Sequence, residues 1–272
     1  MAIFTRDLAQ RIFGALLLLP PVLAALWFSG VWYDALLLVG GVLMVLEWCN
    51  LTDQRKLAVK AAMTLAVIVP LYLVQHKANW LAHEALVPLL AIAAVSILIG
   101  RATSMKSLMW LGLGFSYCLA PLLALEWLRD QPGNETGLAV VLWCFLLVWG
   151  TDIGGYFVGK NVGGPKLAPT LSPNKTWSGL IGGMVLAAGL AMLVWLMFDH
   201  LWTPWMVALS AFVMGFVAQM GDLFESGIKR HFGVKDSGSI IPGHGGILDR
   251  IDGLVFVAVI TALLMSLTGF RP

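Results

Sequence analysis

Long runs of apolar residues, each close to the length of a membrane-spanning helix, recur along the whole chain. A helix needs about 20 mostly apolar residues to cross the hydrocarbon core of a bilayer. We predict spanning helices at Ile12–Phe28, Trp32–Trp48, Leu57–Val74, Glu84–Gly100, Ser107–Leu128, Gly137–Gly159, Trp177–Phe198, Pro204–Phe224 and Gly253–Phe270. The pattern therefore predicts an all-α, polytopic integral membrane protein with about nine transmembrane helices.

The composition agrees with this class. Of the 272 residues, 59% are hydrophobic and 12% are charged, and this charged share is about half that of a soluble domain. A soluble fold could not cover its surface with so little charge. This excludes an ordinary soluble enzyme, a disordered chain and a nucleic-acid-binding protein with a basic face. The expected surroundings are membrane lipid, and no nucleic-acid partner is expected.

The basic residues are distributed unevenly over the predicted loops. With the N-terminus inside, the inside segments carry all of the 17 Lys and Arg residues except Lys77, Arg129 and Arg271. Such an excess predicts a cytoplasmic N-terminus. Arg6 and Arg11 before the first apolar run also resemble the start of a signal peptide. Because eight more spans follow, we interpret that run as an uncleaved first helix.

The two halves of the chain differ in chemistry. Residues 1–131 consist of apolar spans joined by short loops, and we interpret them as a scaffold with dimer or lipid contacts. In residues 132–272, polar residues and glycines collect on the predicted cytoplasmic side. Binding and catalytic residues are found disproportionately on loops. We therefore predict a catalytic transmembrane region at 132–272, with its site at the cytoplasmic face.

Four acidic residues stand at the ends of the last two predicted spans. Asp222 and Glu225 are three residues apart, as are Asp249 and Asp252. Acids at membrane depth are costly and usually functional, and carboxylate oxygens are the ligands that Mg²⁺ prefers. Two simpler interpretations remain open: capping of a helix N-terminus by Asp249 and Asp252, and an ion pair between Glu225 and Lys229.

Basic residues and glycines lie between these acids. Lys229, Arg230 and Lys235 precede the run Gly243–Gly246, whose backbone N–H groups are open to phosphate oxygens. Acids for a metal, bases for phosphates and a glycine loop together indicate phosphoryl or nucleotidyl transfer. The alternative for the three bases is that they only hold the topology and contact anionic lipid.

Two further clusters precede the seventh span. Asp152 interrupts an otherwise apolar span, and it either has a function or pairs with a nearby lysine. Ser172, Lys175 and Thr176 stand just before the helix predicted at Trp177. Either hydroxyl residue suits a helix cap, and Lys175 suits an anion held at that helix start.

The stretch from Ser226 to Asp252 resembles the signature of phosphatidate cytidylyltransferases, also called CDP-diacylglycerol synthases. It supplies, at the spacing of that family, Ser226, Lys229-Arg230, Lys235-Asp236, Gly238, Pro242, His244-Gly245-Gly246 and Asp249-Arg250-Ile251-Asp252. The Thr151-Asp152 and Ser172-Pro173-Asn174-Lys175-Thr176 clusters are also similar to that family. The resemblance implies transfer of the cytidylyl group of CTP to phosphatidate, giving CDP-diacylglycerol and pyrophosphate.

The resemblance also implies divalent metal dependence, a homodimer and a place in the bacterial cytoplasmic (inner) membrane. We expect Mg²⁺, with a second cation left open, and the substrates CTP and phosphatidate. The expected metal ligands are Asp222 and Asp249. The expected catalytic residues are Asp152, Lys175, Lys229, Arg230, Lys235 and Asp252. The expected substrate-binding residues are Ser172, Thr176, Ser226, His244, Gly245, Gly246 and Arg250.

Two other functions would use some of the same residues. A CTP-dependent lipid kinase of the polyprenol type would use the same metal and phosphate groups but transfer the γ-phosphoryl group. An ion-coupled transporter would use the acids as an ion site. Transporters often show repeated halves, whereas here the polar residues collect on one face and in one half. The sequence therefore favours the nucleotidyltransferase.

Overall fold

A computed structural model of the protein describes residues 19–54, 56–76, 104–198, 202–240 and 245–269. Within these ranges the chain is helical apart from one small hairpin. The elements are α1 (Leu19–Phe28), α2 (Val31–Leu51), α3 (Leu57–His76), α4 (Met105–Arg129), α5 (Asn134–Val162), β1 (Lys166–Ala168), β2 (Ser172–Thr176), α6 (Trp177–Met197), α7 (Pro204–His231) and α8 (Leu248–Thr268).

Seven helices in the described ranges, α2 to α8, are long and apolar enough to cross a membrane. Together they show a polytopic, helical membrane protein, as the apolar runs predict. The span predicted at Glu84–Gly100 lies outside the described residues, and so does the beginning of the span predicted at Ile12–Phe28. The count of nine therefore stays a prediction.

The largest differences from the predicted boundaries are at α7 and α8: α8 begins at Leu248, five residues before the predicted start at Gly253. Helix α7 continues seven residues beyond the predicted end at Phe224, so Lys229 and Arg230 lie on a helix and not in a loop. Basic residues in its last turn favour the negative end of the helix dipole, which supports this extension. The predicted loop between α5 and α6 contains the antiparallel hairpin β1–β2, which pairs Lys166 with Thr176 and Ala168 with Ser172.

The chain divides into two compact units. The first contains Met1–Glu126 and Asp236–Arg250, and the second contains Trp127–Lys235 and Ile251–Pro272. The first unit is thus discontinuous, because a late segment of the chain packs with the early helices. The functional division at residue 131 stays a prediction.

The core of the first unit is built around Trp48 on α2. The indole of Trp48 is fully buried and its Nε1 donates to the carbonyl of Trp110 at 3.0 Å. Its ring lies 5.2 Å from that of Tyr117, and Gly114 leaves room for the indole. Because a buried indole N–H needs an acceptor, this hydrogen bond fixes α2 against α4.

Small residues bring α5 and α6 of the second unit into close contact. A Cβ atom at Gly154 would lie 2.7 Å from the carbonyl oxygen of Gly182, and one at Gly183 would lie 2.6 Å from that of Thr151. Only glycine fits at such distances. Glycines at helix interfaces let backbones approach and gain van der Waals contact, which is the main source of helix association in lipid.

Replacing Gly183 by alanine is expected to lower the free energy of unfolding by about 1–3 kcal/mol, because the added methyl group meets backbone atoms that cannot move aside. Gly189→Ala is the matched control on the same helix. It has open space around its Cβ position, and it should be neutral or stabilise by about 0.5–1 kcal/mol. Unfolding of both variants in detergent checks this, and equal stabilities would refute the tight α5–α6 contact.

Candidate active site

A cavity of about 710 Å³ opens in the second unit between α5, the hairpin, α6 and α7. Five of the predicted site residues line it: Asp152, Ser172, Lys175, Thr176 and Asp222. They come from three segments that are far apart in the sequence. The structure therefore brings together the Asp152 cluster, the cluster before α6 and the first acid of the Ser226–Asp252 region.

The hairpin ends where α6 begins, and Thr176 joins the two. The Oγ1 atom of Thr176 accepts a hydrogen bond from the backbone N–H of Gly179 at 3.0 Å, which makes Thr176 the N-cap of α6. This confirms the capping interpretation for Thr176 and leaves Ser172 on β2, paired with Ala168. The N-terminus of α6, with its partial positive charge, consequently borders the cavity.

Lys175 and Asp222 form an ion pair across the cavity. The Nζ atom of Lys175 contacts the Oδ2 atom of Asp222, and both side chains are mostly buried. The Oδ1 atom of Asp222 accepts from the hydroxyl of Ser226 at 3.3 Å. Both carboxylate oxygens therefore have partners on named side chains, so the orientation of Asp222 is fixed.

Helices α7 and α8 cross closely beside this pair. A Cβ atom at Gly221 would lie 2.5 Å from the carbonyl oxygen of Asp252 and 3.2 Å from the Cα atom of Gly253. The crossing places the buried Asp252 within electrostatic range of Asp222, Glu225 and Asp152. Four carboxylates thus share one region of the second unit. Such a group is costly at membrane depth unless cations compensate it.

Glu225 and Lys229 form an ion pair on α7. The Nζ atom of Lys229 lies 3.1 Å from the Oε2 atom of Glu225, and both residues are buried. This confirms the ion pair that the i,i+4 spacing indicates. Of the predicted phosphate-binding residues, Lys229, Arg230 and Lys235 are not among the described residues that line the cavity. Arg230 instead donates to the carbonyl oxygens of Leu171 and Val234, at 3.4 and 3.0 Å.

The remaining predicted residues belong mostly to the first unit. The Oδ2 atom of Asp249 accepts from the backbone N–H groups of Ser237 and Gly246, both at 2.9 Å, and from the hydroxyl of Ser237 at 3.0 Å. Gly245 has a φ of 81°, in the left-handed region that favours glycine. Arg250 is exposed in the first turn of α8, and His244 lies outside the described residues. The role of each in substrate binding stays a prediction.

The carboxylates fit a magnesium ion by their chemistry. Among the described residues, no group of three or more His, Cys, Asp or Glu side chains is arranged to hold a metal ion. Mg²⁺ is usually held by one or two carboxylates together with substrate phosphates and waters, and not by a complete protein cage. Asp222 and Asp152 line the cavity, and Asp252 interacts electrostatically with both. Together they provide such a partial set of carboxylates, next to the lysines of the cavity lining.

The comparison with known proteins decides the family. Residues 9–268 match the cytidylyltransferase family. This chain belongs to that family. The phosphatidate cytidylyltransferase of Brucella suis biovar 1 (strain 1330) is 38% identical over 263 residues, which cover 94% of this chain and 93% of that protein. The phosphatidate cytidylyltransferase of Staphylococcus haemolyticus (strain JCSC1435) is 32% identical over 252 residues, 85% of this chain and 92% of that protein.

Several residues that the sequence analysis does not single out also have notable positions in this family member. Tyr156, Lys160, Lys166, Asn174 and Gln219 also line the cavity. In the sequence analysis, Lys160 and Lys166 count only among the basic residues of the predicted inside segments. Nothing in a single sequence shows that the hairpin folds against α5. Glu47 on α2 was also missed, although the rule that acids in apolar spans are functional applies to it as much as to Asp152.

Proposed function

We propose that this protein transfers the cytidylyl group of CTP to phosphatidate, giving CDP-diacylglycerol and pyrophosphate. The observation that carries this proposal is the alignment with phosphatidate cytidylyltransferases over 94% of the chain at 38% identity. The cavity supports it, because the cavity combines carboxylates, lysines and a helix N-terminus, the groups that bind phosphates and a divalent cation.

The reaction needs no protein nucleophile. An ionised oxygen of the phosphatidate phosphate attacks the α-phosphorus of CTP and forms a new P–O bond. The bond between that phosphorus and the bridging oxygen breaks, and its electron pair leaves with pyrophosphate. No proton has to be removed from the attacking group. The remaining obstacle is the repulsion between two anions, so the task of the protein is to position them and neutralise their charge.

The residues of the cavity suit this task. Lys175, Lys160 and Lys166 line it and would bind phosphate oxygens of CTP, while the N-terminus of α6 favours an anion. Asp222, with Asp152 and Asp252, would hold Mg²⁺. Bound Mg²⁺ supplies charge neutralisation on the phosphates. Asp249 as a second carboxylate ligand and the second cation stay predictions.

We further propose the setting of the enzyme. The predicted arrangement has nine spans, a cytoplasmic N-terminus and a site that opens to the cytoplasm, supported by the excess of Lys and Arg in the predicted inside segments. CTP would then reach the cavity from the aqueous side, and phosphatidate would enter from the lipid. The bacterial relatives support the inner membrane as the location. The homodimer stays a prediction from the resemblance.

The proposal is tested by incubating the purified protein in detergent with phosphatidate, labelled CTP and Mg²⁺ and separating the products. We expect CDP-diacylglycerol and an equal amount of pyrophosphate, and no product when EDTA replaces Mg²⁺. CDP together with a phosphorylated lipid alcohol, when a polyprenol is supplied, would replace the proposal with the kinase. A folded protein that turns over neither acceptor would refute both and favour transport.

A further inference from the structure

An acidic side chain of the first unit is buried on a predominantly apolar helix. Glu47 lies on α2, a predominantly apolar helix, and only 1% of its surface is exposed. A buried carboxylate is costly unless hydrogen bonds or opposite charges compensate it. The hydrogen-bond partners of Glu47 therefore indicate which part of the structure it stabilises.

Those partners lie in a segment of the same unit about 200 residues later. The Oε1 atom of Glu47 accepts from the backbone N–H of Ile247 at 2.8 Å, and the Oε2 atom accepts from that of Leu248 at 3.0 Å. These N–H groups stand at the start of α8, where no helical carbonyl is available to them. A negative charge at this end also favours the helix dipole. Glu47 therefore acts as an N-terminal cap supplied by another helix.

Two glycines of the same segment make room for this carboxylate. A Cβ atom at Gly246 would lie 2.5 Å from the Oε2 atom of Glu47, and one at Gly238 would lie 2.7 Å from its Oε1 atom. Any side chain at either position would displace the carboxylate. These two glycines therefore make room for a carboxylate of the protein itself, whereas the sequence alone suggests that the glycines bind a phosphate.

Ser237 connects Glu47 to Asp249. The hydroxyl of Ser237 lies 3.2 Å from the Oε2 atom of Glu47 and 3.0 Å from the Oδ2 atom of Asp249. A hydroxyl has one proton to donate, so the two carboxylates share it. Asp249 also accepts from the backbone N–H groups of Ser237 and Gly246. Moving Glu47 would therefore shift the groups that orient Asp249.

We propose that Glu47 is a positioning residue for the catalytic reaction. It fixes the start of α8 and, through Ser237, the orientation of Asp249. This inference rests on the proposed function, in which Asp249 is a predicted metal ligand. Residues that orient metal-binding side chains commonly contribute about 10- to 100-fold to activity or metal affinity.

The first test replaces Glu47 by glutamine, which keeps the shape but puts an NH₂ group opposite a donor. We expect kcat to fall at least about tenfold and the half-maximal Mg²⁺ concentration to rise, with the KM for CTP within about threefold of wild type. The matched control is Glu126→Gln. Glu126 is a half-buried acid of the same unit that accepts from Gln75 at 3.3 Å, and its variant should stay within about twofold of wild type.

Ser237→Ala provides a second variant in case Glu47→Gln does not fold. It removes only the shared hydroxyl, and we expect kcat to fall about three- to tenfold. The double variant should be no worse than Glu47→Gln alone, because both substitutions break one connection. Additive losses in the double variant, or a wild-type kcat in either single variant, would overturn the proposal.

Hydrogen exchange gives a readout that does not depend on turnover. In Glu47→Gln, peptides covering 245–250 should exchange faster, whereas peptides from α5 and α6 should exchange as in wild type. Unchanged exchange at 245–250 would refute the positioning role. Wild-type protein in the product assay separates the two hypotheses: an inactive wild type refutes the proposed function, and an active wild type with an unaffected variant refutes only the role of Glu47.

Discussion

Replacing Asp222 by asparagine is expected to reduce cytidylyl transfer by about 10²–10³-fold or more, the scale seen when a preorganised electrostatic group is removed from an active site. Asparagine keeps the shape of the side chain and can still accept from the hydroxyl of Ser226. It cannot form the ion pair with Lys175 or offer a charged oxygen to Mg²⁺. Product formation over a range of Mg²⁺ concentrations measures the loss.

The control for this variant is Asp53→Asn. Asp53 is exposed at the turn after α2 and has a φ of 59°, a conformation that asparagine also tolerates. We expect this variant to keep wild-type activity, so that a general effect of losing one acid is ruled out. If Asp222→Asn folds and retains more than about a tenth of wild-type turnover, Asp222 is not the central carboxylate of the site.

Replacing Lys175 by methionine is expected to lower kcat/KM for CTP by about 10²-fold, mainly through a higher KM. Methionine keeps most of the apolar stem, but it has no charge to place against phosphate oxygens. The substitution also removes the cation that compensates the charge of Asp222. Steady-state kinetics with varied CTP, at saturating phosphatidate and Mg²⁺, measure the two parameters separately.

Lys56→Met is the matched control. Lys56 is exposed immediately before α3 and belongs to the first unit, outside the cavity. Its variant should bind CTP like wild type, whereas a rise in KM equal to that of Lys175→Met would show that the effect comes from overall charge. A KM for CTP that does not change in Lys175→Met would remove Lys175 from the phosphate-binding set.

The sequence predicts the helices well because length and hydropathy determine whether a segment can cross a membrane. The predicted spans at Leu57–Val74, Ser107–Leu128 and Trp177–Phe198 differ by at most two residues at either end from α3, α4 and α6. The prediction ends α7 too early, because the hydropathy falls where the charged residues Glu225, Lys229 and Arg230 follow Asp222. The ion pair of Glu225 with Lys229 lets the helix continue past them.

Individual site residues can be predicted where the neighbouring sequence already makes them unusual. Asp152, Lys175 and Asp222 are recognisable as acids and bases next to apolar spans, and the structure places them on one cavity. Their convergence depends on the close approach of α5 and α6, which follows from glycines whose partners the sequence does not identify. Glu47 was missed for a related reason. Its role depends on backbone N–H groups that lie about 200 residues later in the sequence.

This separation has a consequence for how the protein is made. Glu47 enters the bilayer about 200 residues before the ribosome has synthesised Ile247, the first of its backbone partners. At about 5–20 residues per second, the nascent chain carries an uncompensated acid for roughly 10–40 s. During that interval the carboxylate lacks the backbone N–H groups that compensate its burial in the finished protein. A chain truncated before residue 236 lacks the late segment of the first unit and with it the groups of Ser237, Ile247 and Leu248 that donate to Glu47, so that unit cannot complete its packing.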